Sequence, residues 1–163
     1  SNLMINSISL RSLESEQLDQ ELIFQEGEIS FFAHATEDLE KLVEGVSVRL
    51  NIPIETFERT KGEGHFGNPI QINRAHFGHE ESEALVKKIV GEIETEEKVT
   101  LGHEIDNHID SKGTLYLRLD KQELMLGRLT LGEKDPIRIK IKLKISTGRR
   151  ELNIQAFRKL LME

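Results

Sequence analysis

The chain has 163 residues, enough for one ordinary core, with 29 acidic and 22 basic side chains, a formal net charge of −7 and no cysteine. This composition excludes a disulfide framework, a thiolate zinc site and a cysteine nucleophile, and it argues against an indiscriminate nucleic-acid binder; an intracellular protein is the simplest expectation. No run reaches the roughly 18 to 20 apolar residues of a membrane span, so no membrane partner is expected.

Residues 1–27 read as an acidic amino-terminal arm with short apolar clusters, and 28–163 as a single domain. A strand is predicted over 28–35, where Ile29, Phe31 and Phe32 stand among small or polar neighbours. Thr36 then caps a helix whose Leu39, Leu42, Val43, Val46 and Leu50 follow the spacing of one buried stripe. Strands over 52–59 and 70–77 flank the glycine-rich run Thr60 to Pro69, the signature of a long hairpin. Helices are predicted over 80–94, with Leu85, Val86, Ile89, Val90 and Ile93 facing inward, and over 96–109. A strand over 114–119 leads to Asp120, which caps a short helix ending at Gly127. The clearest strand runs over 137–145, and a closing helix over 149–162 offers Leu152, Ile154, Phe157, Leu160 and Leu161 to the core. This order predicts an α+β fold with helices packed on one face of a largely antiparallel sheet.

Two segments carry possible chemistry. Gly62-x-Gly64-x-x-Gly67 spells a dinucleotide-binding pattern, but Asn68-Pro69 prevents a helix from opening at the last glycine, so the run reads as a working hairpin loop. Within it Lys61, His65, Phe66 and Asn68 are candidate contacts: Phe66 to stack on an unpaired base, the glycine amides to approach a phosphate. The alternative is a loop whose Phe66 folds back onto the core or a partner subunit. The second segment lies where the charge turns positive, since residues 137–163 carry eight basic and two acidic side chains. Alternation in Ile137 to Ile145 puts Arg138, Lys140, Lys142 and Lys144 on one side, about 6.7 Å apart. That stripe is either an outer strand charged against edge pairing or a track for phosphates, with Arg149 and Arg150 continuing it.

The histidines offer little metal chemistry. His103 and His108 are five apart, which turns them about 140° from each other on a helix, and His76-x-x-His79 straddles a strand end. No glycine-elbow serine motif is present, and the paired glutamates lie in solvated helical stretches. Neither a metal, a cofactor nor catalysis is expected.

His34-Ala35-Thr36-Glu37-Asp38, then Lys61 with His65-Phe66-Gly67-Asn68-Pro69-Ile70, then Leu115 to Gln122 leading to Leu126-Gly127, resemble in order and spacing an archaeal RNA-binding-domain family described as a predicted exosome subunit. The resemblance covers about residues 28–161. It implies a fold similar to that of the ribosomal protein that holds 5S RNA, a non-enzymatic RNA-binding role, a cytoplasmic setting and dimers. The positions it carries over are Lys61, His65, Phe66, Gly67, Asn68, Arg118, Lys121 and Gln122. The leading expectation is an RNA-binding accessory protein. The alternative is a protein-interaction subunit that docks its hairpin and acidic arm on a larger complex without touching RNA.

Overall fold

The computed structural model describes residues 22–64, 66–144 and 149–163, with the backbone alone at Arg149. The expected amino-terminal arm lies largely outside the described residues. Five strands form one antiparallel sheet: β1 (Phe24–His34), β2 (Phe57–Glu63), β3 (Pro69–Phe77), β4 (Thr114–Leu119) and β5 (Ile137–Leu143), ordered β2-β3-β1-β5-β4. The helices are α1 (Leu39–Leu50), α2 (His79–Glu92), α3 (Thr95–Glu104), the single turn α4 (Lys121–Met125) and α5 (Arg149–Met162). Helices on one face of an antiparallel sheet satisfy the α+β expectation.

Period-two patterning sends one side of each central strand into the core. Ile29, Phe31 and Ala33 of β1, Leu115, Leu117 and Leu119 of β4, and Ile137, Ile139 and Ile141 of β5 are buried against the helices. The helices answer with Leu42, Val43 and Val46 of α1, Leu85, Val86 and Ile89 of α2, and Ile154 and Phe157 of α5. Gly27 is what lets α2 approach so closely. A Cβ there would meet Ile141 Cδ1 and Ser82 Oγ at 2.8 Å and the Phe77 ring closer still.

Several boundaries differ from the sequence expectation. β1 begins at Phe24, because Phe24 pairs with Leu143 and is itself buried. The cap of α1 is Asp38 rather than Thr36: its carboxylate accepts from the Lys41 amide at 3.2 Å. Residues 54–56 form a 3₁₀ turn, so β2 starts only at Phe57. The hairpin loop is also shorter than its glycines suggest. Gly62 lies within β2 opposite Ile70, leaving 64–68 as the tip, where Gly67 has φ +75° and donates to Gly64 O at 3.0 Å. The second predicted helix ends at Glu104 and continues as a 3₁₀ turn over 105–107.

Outside the sheet the charge is mostly acidic. Residues 79–106, which hold α2 and α3, carry nine acidic and three basic side chains. Among the described residues no helix is long and apolar enough to cross a membrane.

Candidate nucleic-acid interface

The face of the sheet turned away from the helices is a grid fixed by strand register. One transverse row crosses all five strands: Glu58, Arg74, Ser30, Arg138 and Arg118 are paired in succession. Its three guanidinium-bearing positions span about 14 Å, three inter-strand spacings. The next row holds His76, Glu28, Lys140 and Tyr116, and the one beyond it Glu26, Lys142 and Thr114. In the other direction the rows turn apolar, through Thr60, Ile72 and Phe32 to Gly62, Ile70 and His34.

Arg118 and Arg138 stand directly opposite each other, a like-charge pair that costs stability in an isolated sheet. Two neighbours relieve it. Arg118 Nη1 donates to Glu133 Oε2 at 2.6 Å, and the Arg138 guanidinium lies 5.0 Å above the Phe32 ring. Arg74 lies 3.3 Å from Glu28, and Lys142 lies 3.9 Å from Glu26. Among the described residues Lys140 and Lys144 form no ion pair, while the Lys112 charge faces the Asp110 carboxylate. Lys112 joins Lys140, Lys142 and His76, with the carboxylates Glu26 and Glu28 among them, around a cleft of about 350 Å³ at the Phe77 end of the face.

The turn carrying Lys112 is held by Asp110. Its Oδ1 accepts from the amides of Lys112 and Thr114 at 2.9 Å, and its Oδ2 accepts from the Tyr116 hydroxyl at 3.1 Å. Burial pushes the Asp110 carboxyl up, but these hydrogen bonds outweigh it and hold the group below the usual carboxylate range. Burial and the Asp110 charge together raise the Tyr116 hydroxyl, so Tyr116 remains a donor.

The other expected positions are dispersed. Lys61 extends from the opposite face of β2, in the plane of Arg59, whose guanidinium donates to Glu40 of α1 at 2.8 and 3.2 Å. That pairing lowers the Glu40 carboxyl and raises Arg59. Phe66 and Asn68 sit at the hairpin tip, with Phe66 87 % exposed. From the base of that tip, level with His34, Lys140 lies six residues back along β1, about 20 Å. The glycine loop and the cationic stripe are therefore not brought together. Gln122 is exposed on α4. His65 and the Arg149 side chain lie outside the described residues.

Lys121 has a different setting from the rest. Its side chain is 2 % exposed, and its ammonium donates to Phe32 O at 3.0 Å, Glu37 Oε1 at 3.0 Å and Asp135 Oδ2 at 2.5 Å. His34 Nε2 lies 3.0 Å from the same Asp135 oxygen. His34, Glu37 and Asp135 form the one metal-like donor group among the described residues, and Lys121 already supplies its cation. Asp135 has φ +46°, a strained setting for the residue before a proline, and these contacts hold it there. The latch ties the entry to β5 to the end of β1, and so places Arg138 over Phe32.

A protein-family model described as RNA binding matches residues 28–143. The chain belongs to this RNA-binding family. A Pyrococcus abyssi relative, itself called an RNA-binding protein, is 32 % identical over 139 residues, covering 82 % of this chain and 90 % of that one. Two solved structures of DUF54 proteins are also similar. That from Methanothermobacter thermautotrophicus has a TM-score of 0.72 at 28 % identity, covering 85 % of this chain and 98 % of that one. That from Sulfolobus solfataricus has a TM-score of 0.65 at 33 % identity, covering 84 % and 97 %. For this RNA-binding family member, sequence reasoning did not single out Arg74 or Lys112, and weighed His76 only as a metal ligand. The alternation Ile70-x-Ile72-x-Arg74-x-His76 is visible in the sequence, but the strand that pairs with it is not.

Proposed function

We propose that the protein is a non-enzymatic RNA-binding protein that receives the RNA backbone on the uncovered face of its sheet. The observation that carries this reading is the row Arg74, Arg138 and Arg118, placed on one surface by register and flanked by Lys140 and Lys142. Lys144 and Arg149 extend the row of cations in sequence beyond β5. Such an array raises the local concentration of polyanions although the chain is net negative, because screening confines the distant acidic groups to about 8 Å at physiological salt. An accessory role in RNA processing, with the exosome as partner complex, and a homodimer follow from the family resemblance.

A second reading is favoured by the hairpin. Phe66 is 87 % exposed at its tip, and Ile70 and Ile72 are only half-buried behind it, an arrangement suited to docking on another protein. Titration against a labelled RNA hairpin at low and physiological salt, with and without Lys140, Lys142 and Lys144 changed to Gln, separates the two. Affinity that falls with salt and in the triple variant supports the RNA reading. No binding at low salt rejects it and leaves the hairpin-docking reading.

A further inference from the structure

Resting on that RNA-binding reading, we infer that the ligand is double-helical RNA, gripped by its phosphates, rather than an unpaired strand read by its bases. Proteins that hold single strands combine cationic grooves with rings on which successive bases stack, and each stacked base contributes about 1–3 kcal/mol. This sheet has the cations without the rings. Phe24, Phe31 and Phe157 are buried, and Phe57 and Phe77 pack against the core. Phe32 does reach the uncovered face, but the Arg138 guanidinium covers it at 5.0 Å. Among the described residues that leaves, in the cationic rows, only Tyr116, 42 % exposed and tethered through its hydroxyl to Asp110, and the small imidazole of His76, which lies 3.9 Å from Glu28. Phe66 is exposed, but it lies beyond the end of the sheet remote from Lys140 and Lys142.

The cations suit a stiff polyanion. Arg138, Lys140 and Lys142 repeat about every 6.7 Å along β5, and Arg74 and Arg118 extend the array about 14 Å across it. Their backbone positions are fixed by pairing in the sheet. A double helix presents its phosphates already ordered, whereas a flexible strand must be ordered on binding with almost no stacking to offset the entropy. The Phe77 end of the face adds a cleft in which Lys112, Lys140 and Lys142 outnumber the carboxylates Glu26 and Glu28, a seat for phosphate oxygens between strands.

The test is a competition between a 20-base-pair RNA duplex and one of its own strands, chosen to be unstructured, at two salt concentrations. The duplex is expected to bind about tenfold more tightly, corresponding to the absence of one stacked base or more on the strand. Lys140→Gln and Lys112→Gln should each lower the salt slope by about 1. Phe66→Ala should change duplex affinity by less than about twofold. Tighter binding of the single strand overturns the inference while leaving RNA binding intact. Failure of both RNAs to bind at low salt instead removes the RNA-binding reading on which it rests, and the duplex preference with it.

Discussion

Replacing Lys121 with Met separates a structural lysine from an RNA contact. The ammonium is almost wholly buried and donates to three oxygens: Phe32 O, Glu37 Oε1 and Asp135 Oδ2. Removing one partner of a buried ion pair costs about 3–5 kcal/mol, since the remaining charge is left uncompensated. Here Glu37 and Asp135 keep 24 % and 34 % of their side chains exposed, so water re-solvates them in part, and His34 remains 3.0 Å from Asp135. The lower end of that range applies, about 3 kcal/mol. At about 2–4 °C per kcal/mol for a chain of this size, Tm should fall by about 6–12 °C. Urea unfolding at pH 7 measures the loss directly, and adding Glu37→Gln to Lys121→Met should cost less than the two single changes summed, because the stranded acceptor is then neutral. Affinity for RNA, measured well below the lowered Tm, should change by less than about threefold. A stability loss below about 1 kcal/mol, or unchanged stability with RNA affinity lost, would refute the latch and make Lys121 a contact residue.

Gly27→Ala should destabilise the domain by about 1–3 kcal/mol in the same urea assay, since the added methyl group overlaps Phe77, Ile141 and Ser82, which hold α2 to the sheet. Gly67→Ala should cost only about 1 kcal/mol, because φ is +75° but no atom lies within 4 Å of the new Cβ. The lowered Asp110 carboxyl contributes stability that is present above its unfolded value of about 3.9 and is lost as pH falls through the folded value. Unfolding midpoints of wild type and Asp110→Asn should therefore differ by a constant amount above about pH 5 and converge in more acidic buffers.

What could be read from the chain alone follows from how local each feature is. The alternation in β5 needs only the two-residue pleat, so Arg138, Lys140 and Lys142 fall on one face whatever strands lie beside them. The stripes of α1 and α2 are equally local, and Leu42, Val43, Leu85 and Val86 are buried as the helical period requires. The arginine row is not local. It arises because β1 lies between β3 and β5, which brings Arg74, 64 positions before Arg138, to the same level of the sheet. For the same reason Lys61 could not be assigned a face, since its side is set by pairing with Gln71 and by Glu40 reaching Arg59 on that surface. Lys121 was hidden by its chemistry: a lysine in the first turn of a short helix looks solvated until the carboxylates from 84 residues before and 14 after meet it. Thr36 and Asp38 are both sound caps, and the choice fell to Asp38 through its bond to the Lys41 amide.

The acidic helices α2 and α3 give the separation of charge a consequence for crowding. With nine acidic and three basic side chains over 79–106, that part of the surface resembles, in sign, the phosphates that the sheet face would cover. A molecule seated through its arginines would leave the RNA negatively charged toward solvent at that spot. A second RNA helix approaching from outside would meet repulsion within a Debye length, about 8 Å at physiological salt. If the sheet face holds a duplex as inferred, the protein would decorate one duplex without bridging two of them, and adding it in excess should not condense RNA as a uniformly basic protein of the same size does.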